Sequence, residues 1–388
     1  MERDPRTYPD FEFNLRELAG SMGDFGTLFP LAVGLIAVNR MDPTALFVMM
    51  GLTNIVLGLI YRLPMPVEPK KVISVAAIGQ VWPAQMVVAS GLGMGIIWLV
   101  LAATGLMRKL VAITPESLVR GIQLALGLTL GWQAVQMMAP EPARWLLAPE
   151  PWLGLLAIAL ILLLRKSRYA PAALVIMGLG VALMALKGDL LSNLEFGIGL
   201  PRFAVPDLKD VWQALVLAGF AQIPLTLTNA TMATAVMIRD LFPDKAVSET
   251  KLLVNQGFIN IGSSLFGGMP MCHGSQGLAG QYYFGARTAG ANILEGLIEI
   301  SLGVFLGRSL LGILSAFPMA LIGGMMFMVG IQLLRPLLKL RRWGLGLALL
   351  TGILGVATNM AVGFVAGLAA AAILRALDRR GVIAAELA

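Results

Sequence analysis

The sequence predicts an all-α polytopic membrane protein, with about 14 transmembrane segments arranged as a 7+7 inverted repeat. Of its 388 residues, 57% are hydrophobic and only 13% are charged, whereas soluble domains carry about 25% charged residues. Apolar stretches follow one another along the chain, most of them close to the roughly 20 residues that a helix needs to cross a bilayer. Two polar stretches rich in Gly and Pro, 62–71 and 266–285, interrupt this pattern once in each half.

The apolar stretches define the predicted segments in chain order. They span about 24–40, 43–61, 66–80, 84–106, 115–137, 151–164, 170–186, 210–232, 248–266, 272–286, 288–307, 315–334, 343–358 and 359–376. The third and tenth segments are too short and too polar for ordinary spans, so each is predicted to be an extended piece that leads into a half-helix. Paired interruptions of this kind in two halves of a chain indicate the binding site of a transporter.

The basic residues predict the orientation of the chain. With the N-terminus inside, most of the 29 Lys and Arg residues fall in inner loops, as the positive-inside rule requires. The net charge of +7 therefore reflects orientation in the lipid bilayer and not a nucleic-acid partner. The first twenty residues are polar and contain no apolar signal-peptide core. We predict a multi-pass protein of the cell inner (cytoplasmic) membrane, with both termini cytoplasmic.

Residue spacing predicts the repeat. The Pro and Gly residues of the fifth segment recur in the twelfth at one constant interval: Pro115, Gly121 and Gly127 against Pro318, Gly324 and Gly330. Seven segments per copy is an odd number, so the second copy enters the membrane from the opposite side. The predicted units are a cytoplasmic N-terminal segment, a first repeat, an external linker, a second inverted repeat and a cytoplasmic tail, at 1–23, 24–186, 187–209, 210–377 and 378–388.

The two half-helices predict the class of ligand. The N-terminus of a helix offers unpaired N–H groups and a partial positive charge, so two such ends facing one cavity favour a compact anion. The candidate stretches are Val67–Lys71 and Cys272–Gln276. Glycine at Gly274 lets the backbone approach a ligand closely.

Four stretches carry a resemblance to a known family. The segments PMPVEPKKVISVAA (64–77) and FGGMPMCHGSQGLAGQYYFGARTAG (266–290) resemble the two signature motifs of the molybdate transporter family, distant relatives of the sulfate permeases. The segments GDFGTLFPL (23–31) and QIPLTLTNA (222–230) extend the resemblance over the chain. It implies transport of molybdate, and of tungstate with the same shape and charge, by alternating access. It also implies a fold similar to sulfate and nucleobase permeases, with core and gate domains, and a homodimer by analogy.

The resemblance and the half-helices together give the candidate site. Lys71 matches the family lysine, whereas Glu68 stands where the family usually has Gln; it is protonated when cargo binds, is neutralised by Lys70 or Lys71, or points away. The predicted substrate-binding residues are Thr27, Val67, Glu68, Lys71, Gln222, Thr226, Asn229, Cys272, His273, Gly274, Ser275 and Gln276. The candidates for coupling to a proton or sodium ion are Asp24, Glu68, His273 and Glu295.

Other functions stay open at this point. The same fold would suit a sulfate permease, a nucleobase permease with Glu68 reading ring nitrogens, an anion channel, or a membrane protein without transport. No nucleotide-binding loop, catalytic triad or metal-ligand cluster is visible in the sequence, so we predict no enzyme, no cofactor and no metal. One Cys beside one His cannot build a structural zinc site.

Overall fold

The computed structural model describes residues 8–139, 148–164, 172–188, 195–340 and 342–379, and these residues are mostly helical. The side chains of residues 24–27, within that range, lie outside the description.

In the part of the first half that the structure describes, there are nine helices and one short strand. A 3-10 turn at Met22–Asp24 follows the first helix. The elements are α1 (Leu15–Ser21), α2 (Phe25–Ala37), α3 (Pro43–Tyr61), β1 (Glu68–Pro69), α4 (Lys71–Gln80), α5 (Ala84–Thr104), α6 (Leu106–Ile113), α7 (Glu116–Met138), α8 (Pro149–Leu164) and α9 (Ala172–Lys187).

The second half repeats this pattern of long helices around a short strand. A 3-10 turn at Arg335–Lys339 extends the fourteenth helix. The elements are α10 (Leu208–Leu241), α11 (Glu249–Leu265), β2 (Met271–Cys272), α12 (Ser275–Phe284), α13 (Gly290–Ala316), α14 (Met319–Leu334), α15 (Arg342–Ala357) and α16 (Met360–Arg379).

Length and composition make this a multi-pass membrane protein. Five helical stretches of the described chain are long and apolar enough to cross a bilayer: Pro43–Tyr61, Ala84–Thr104, Leu208–Leu241, Met319–Lys339 and Met360–Asp378. Shorter apolar helices lie between them. The prediction of a helical multi-pass membrane protein is confirmed. Two boundaries are corrected, since the segment predicted at 210–232 continues to Leu241 and the one predicted at 288–307 continues to Ala316.

Helix starts follow the local sequence. The side chains of Asp42, Asp207 and Ser248 accept hydrogen bonds from backbone N–H groups in the first turns of α3, α10 and α11. Pro115 and Pro318 precede α7 and α14, where the fixed φ of proline suits the entry to a helix. These five helices therefore begin either at a side chain that caps the first N–H groups or directly after a proline.

The helices pack in two groups. Helix α3 packs along α13 and α5 packs along α11, with α10 beside α5. In the second group α7 packs against α14 and α15, α14 contacts α8, and α15 contacts α16. Helix α4 touches α7, so the short strand region lies where the two groups meet.

The N-terminal segment is bound to the second half of the chain. Asp10 lies 3.0 Å from Arg62 and 3.1 Å from Lys245. The hydrogen bond from Lys245 lowers the pKa of the Asp10 carboxyl below its usual value. Glu17 accepts hydrogen bonds from the backbone N–H groups of Arg287 and Thr288. Asp10 thus joins the start of the chain to the loops after α3 and α10, and Glu17 joins it to the loop after α12.

Candidate functional site

The two interrupted stretches meet in the middle of the molecule. Strand β1 pairs antiparallel with β2, with Glu68 opposite Cys272 and Pro69 opposite Met271. The Lys70 N–H also donates to the carbonyl of Pro270 at 2.9 Å. Helices α4 and α12 begin directly after the strands, so the structure brings both predicted half-helix N-termini together.

Two asparagines hold the extended backbone in place. The Met65 N–H donates to Asn292 Oδ1 at 2.8 Å, and the Asn292 amide donates back to the Met65 carbonyl. Asn260 makes the same two bonds with Met271, at 3.0 Å and 2.7 Å. Buried backbone groups need such partners because no water replaces them. The predicted site residues do not include these asparagines, although a buried amide within an apolar segment is the signal that indicates them.

Lys71 places its ammonium group between the two interrupted stretches. Its Nζ lies 3.2 Å from Glu68 Oε2 and donates to Gln276 Oε1 at 3.1 Å. The side chains of Lys71 and Glu68 are only 8% and 2% exposed. Of the three alternatives for Glu68, this geometry favours neutralisation by Lys71, since the carboxylate faces the ammonium group.

Lys70, the neighbouring lysine, points elsewhere. Its Nζ donates to Gln256 Oε1 at 2.8 Å and lies 5.1 Å from the centre of the Trp98 ring. The side chain is fully buried. An ammonium group over an aromatic face is stabilised by the ring quadrupole. The two lysines therefore serve different parts of the structure, and only Lys71 faces the start of α12.

The carboxylate of Glu68 packs against the first turn of α12. A Cβ added at Gly277 would approach Glu68 Oε1 to 2.7 Å and Pro66 Cβ to 2.8 Å. Both distances are below any normal contact. Glycine at this position is therefore needed for the approach of β1 to α12.

Broken helix α10 supplies the polar wall of the site. Residues Leu215–Gly219 and Thr226–Ala233 wind as π turns around Pro224. Such turns often mark functional sites. Gln222 Oε1 accepts the Val72 N–H at 3.0 Å, and its amide donates to Thr226 Oγ1 at 2.9 Å. In this arrangement Gln222 caps the first turn of α4.

The second half-helix start contacts the same wall. Ser275 Oγ donates to Asn229 Oδ1 at 2.7 Å. His273 Nδ1 donates to the carbonyl of Ala230 at 3.1 Å, and this His is fully buried. Gly274 precedes α12, and a Cβ added at this position would lie 3.2 Å from Asn229 Nδ2.

The remaining predicted residues divide into three cases. Val67 and Cys272 are buried within or beside the strand pair. The side chains of Asp24 and Thr27 lie outside the described part of the structure. Glu295 lies on α13, where it accepts a hydrogen bond from the Gln281 amide at 3.3 Å.

Another buried carboxyl lies one turn further along α13. Glu299 Oε2 accepts from the Asn54 amide at 2.8 Å. Asn54 in turn accepts from Asn292, which holds Met65. A chain of amides thus joins this carboxyl to the extended stretch before β1.

A cavity of about 320 Å³ opens onto the site. Its walls include Arg120 and Gln123 of α7 on one side, and Thr228, Asn229 and Gln276 on the other. A larger cavity of about 830 Å³ lies beside α12 and is lined mainly by apolar side chains, with Arg287 and Asp240 at its edge. The smaller cavity is the one that reaches residues of the predicted site.

Sequence comparisons match the chain to known proteins. A family model described as "Molybdate transporter of MFS superfamily" matches residues 16–130 and 214–333. Molybdate transporter 1 of Arabidopsis thaliana is 32% identical over 400 positions, which cover 92% of this chain and 87% of that protein.

Solved structures share the fold. The transmembrane domain of the cyanobacterial bicarbonate transporter BicA superposes with a TM-score of 0.64 at 18% identity, covering 93% of this chain and 98% of that one. The murine anion transporter Slc26a9, in its inward-facing state, gives a TM-score of 0.68 at 14% identity, covering 96% and 70%. At these identities the likeness concerns the fold alone. As its motifs predict, the chain belongs to the molybdate transporter family and is a transporter, not an enzyme.

Proposed function

We propose that this protein is a secondary active transporter that carries molybdate across the cytoplasmic membrane. The observation that carries the proposal is the position of Lys71, buried between two half-helix starts and bonded to Gln276 at 3.1 Å. Gln276 is exposed to the cavity beside it. A cation at the end of an aqueous path, inside an apolar protein, suits an anionic cargo.

Backbone groups would provide much of the binding. Helix α12 begins after Gly274 without a side-chain cap, so N–H groups of its first turn would be available to an anion beside Lys71. Helix N-termini bind anions through such groups and through their partial positive charge. Ser275 and Asn229, already 2.7 Å apart, would add a hydroxyl and an amide to the oxyanion oxygens. Val67, Cys272 and His273 would shape the wall, and Thr226 and Thr27 would support it from α10 and α2.

Glu68 gives the site an internal counter-anion. Without cargo, its carboxylate partners Lys71 at 3.2 Å. A dianion that takes over Lys71 would leave an ionised Glu68 close to it and without its cation, which is unfavourable in a buried place. Glu68 would then take up a proton or turn away. Proton uptake would couple molybdate transport to the proton gradient, with His273, Asp24 and Glu295 as further candidates and sodium as the alternative ion.

The repeat provides the transport mechanism. Two stretches of the chain match the family model, and they begin near the starts of the two proposed repeats, 24–186 and 210–377. The 14 segments would form a 7+7 inverted repeat joined by an external linker at 187–209. The group with α3, α5, α10, α11 and α13 would be the core and the other group the gate. Movement of the core against the gate would expose the site to each side in turn.

Orientation follows from charge. The mouth of the 320 Å³ cavity lies near the start of α7, which follows the basic pair Arg108-Lys109. With both termini cytoplasmic, in a cell inner membrane, this cavity opens inward. A homodimer stays an expectation by analogy.

Equilibrium calorimetry with the purified protein tests the cargo. We expect molybdate to bind, tungstate to compete, and sulfate to compete weakly, with affinity rising as pH falls from 8 to 6. Competition by sulfate or by uracil would instead support the related permeases. Saturable exchange and counterflow in liposomes would exclude an anion channel. Folded protein that binds no molybdate would overturn the proposal.

A further inference from the structure

Arg120 is one of the two charged residues of α7, and the predicted site does not include it. It lies one turn into α7, which packs in the group opposite to the half-helices. Its side chain is 27% exposed and lines the 320 Å³ cavity. Ionisable residues at such depth are costly, and they face water-filled cavities or transport pathways when they occur.

The partners of Arg120 leave it available to an anion. Its Nε donates to Glu116 Oε1 at 3.0 Å, its Nη2 also contacts Glu116, and its Nη1 donates to Gln123 Oε1 at 3.0 Å. Glu116 is 54% exposed at the cavity mouth. An exposed ion pair within one helix contributes little to stability, so an incoming oxyanion can replace Glu116 at small cost.

The opposite wall of the cavity belongs to the proposed molybdate site. It includes Asn229, which accepts from Ser275, and Gln276, which accepts from Lys71. An anion that leaves Lys71 toward the cavity therefore passes in front of Arg120. The planar guanidinium offers two parallel N–H groups to an oxyanion, and its charge is screened less in a narrow cavity than in bulk water.

We propose that Arg120, with Glu116 as its exchangeable partner, forms a second and transient oxyanion site between the cavity mouth and Lys71. The inference rests on the proposed molybdate transport. Because Arg120 is on the gate side, it holds the ion only while the cavity is open. The residue sets the rate at which oxyanion reaches the main site, and it leaves the affinity of the main site nearly unchanged.

The test compares Arg120→Gln, Glu116→Gln and Arg375→Gln in liposomes. Arg375 is the matched control, since it lies near the same end of the molecule, where its Nη1 donates to the Ile113 carbonyl at 3.0 Å. At molybdate concentrations below saturation, Arg120→Gln should lower exchange about tenfold and weaken its dependence on salt. Glu116→Gln should raise exchange about two- to threefold, because Arg120 loses its competitor. Arg375→Gln should leave exchange unchanged.

Calorimetry with molybdate separates the outcomes. Affinity in Arg120→Gln should stay within about twofold of the wild type. An equal loss of affinity and exchange would assign Arg120 to the main site, and unchanged exchange in a wild type that transports molybdate would remove it from the path. Either result would overturn the inference about Arg120 and leave the proposed molybdate transport unaffected. A folded wild type without molybdate binding overturns the proposed function and this inference together. Glu116→Gln keeps the test valid if Arg120→Gln does not fold.

Discussion

The two half-helix starts share a backbone design and differ in charge. In each, an asparagine side chain bonds the backbone of one methionine in a proline-containing extended stretch. The stretch forms one strand of the β1–β2 pair and continues into a short helix. The first start carries Glu68, Lys70 and Lys71, whereas the second carries His273, Gly274 and Ser275. The shared backbone arrangement thus brings the two helix starts together, and the first stretch alone provides formal charges.

Lys71→Met removes the charge of the first start and should have the largest effect. Loss of a charged hydrogen-bond partner costs about 1.5–3 kcal/mol, so molybdate affinity should fall roughly 10- to 100-fold, as measured by calorimetry. Glu68 would also be left as a buried carboxylate without its cation, which costs about 3–5 kcal/mol in stability.

The double variant Lys71→Met with Glu68→Gln separates these effects. It should recover most of the thermal stability and none of the affinity. Full affinity in either folded variant would contradict the role of Lys71.

Glu68→Gln tests whether the cargo replaces the Glu68 carboxylate as the partner of Lys71. If binding of the dianion draws a proton to Glu68, wild-type affinity rises as pH falls, by up to about tenfold per pH unit for one proton. Gln has the same shape as Glu but cannot take up this proton. The dependence of molybdate affinity on pH, measured by calorimetry between pH 6 and 8, should therefore become weaker. An equal slope in both proteins would assign the proton to another group.

Ser275→Ala tests the uncharged start. The Ser275 hydroxyl donates to Asn229 at 2.7 Å, and its loss should cost about 1 kcal/mol of binding, or roughly fivefold in affinity. Ser263→Ala is a control, because that hydroxyl bonds the Met269 carbonyl away from Lys71. If Ser275→Ala lowered molybdate affinity more than Lys71→Met does, the start of α12 and not that of α4 would contribute more to binding.

Lys70→Met should have the smallest effect on binding. Its ammonium group faces Gln256 and Trp98, so its charge acts on the cargo only at longer range. We expect a change in affinity of no more than about threefold, by calorimetry, with a change in thermal stability of either sign. A loss as large as that of Lys71→Met would show that the two lysines act together.

The special role of the two interrupted stretches in the fold could be predicted from the sequence, because its signals are local. Proline and glycine interrupt the apolar pattern at 62–71 and 266–285, and the structure brings these stretches together as a strand pair followed by two helices. The fold type follows from the same motifs and from composition. The ends of α10 and α13 could not be predicted, because both helices continue past the predicted ends, to Leu241 and Ala316.

Side-chain partners could not be predicted, because they depend on contacts between distant segments. Gln222 caps α4 across 150 positions of sequence, and Lys70 turns to Gln256 although it neighbours Lys71. The guanidinium of Arg287 packs against its own segment of the chain. It lies 3.4 Å from the centre of the Tyr282 ring and donates to the Ala286 carbonyl at 2.8 Å.

The strand pair has a consequence for the width of the proposed anion site. The half-helices α4 and α12 are covalent continuations of β1 and β2, which are joined by backbone hydrogen bonds. Neither helix start can approach or leave the other without breaking those bonds. The distance between the two helix starts is therefore fixed. In the proposed site, an oxyanion too small to reach both helix ends would leave some of their N–H groups without a partner, and that loss would discriminate against it without any steric block.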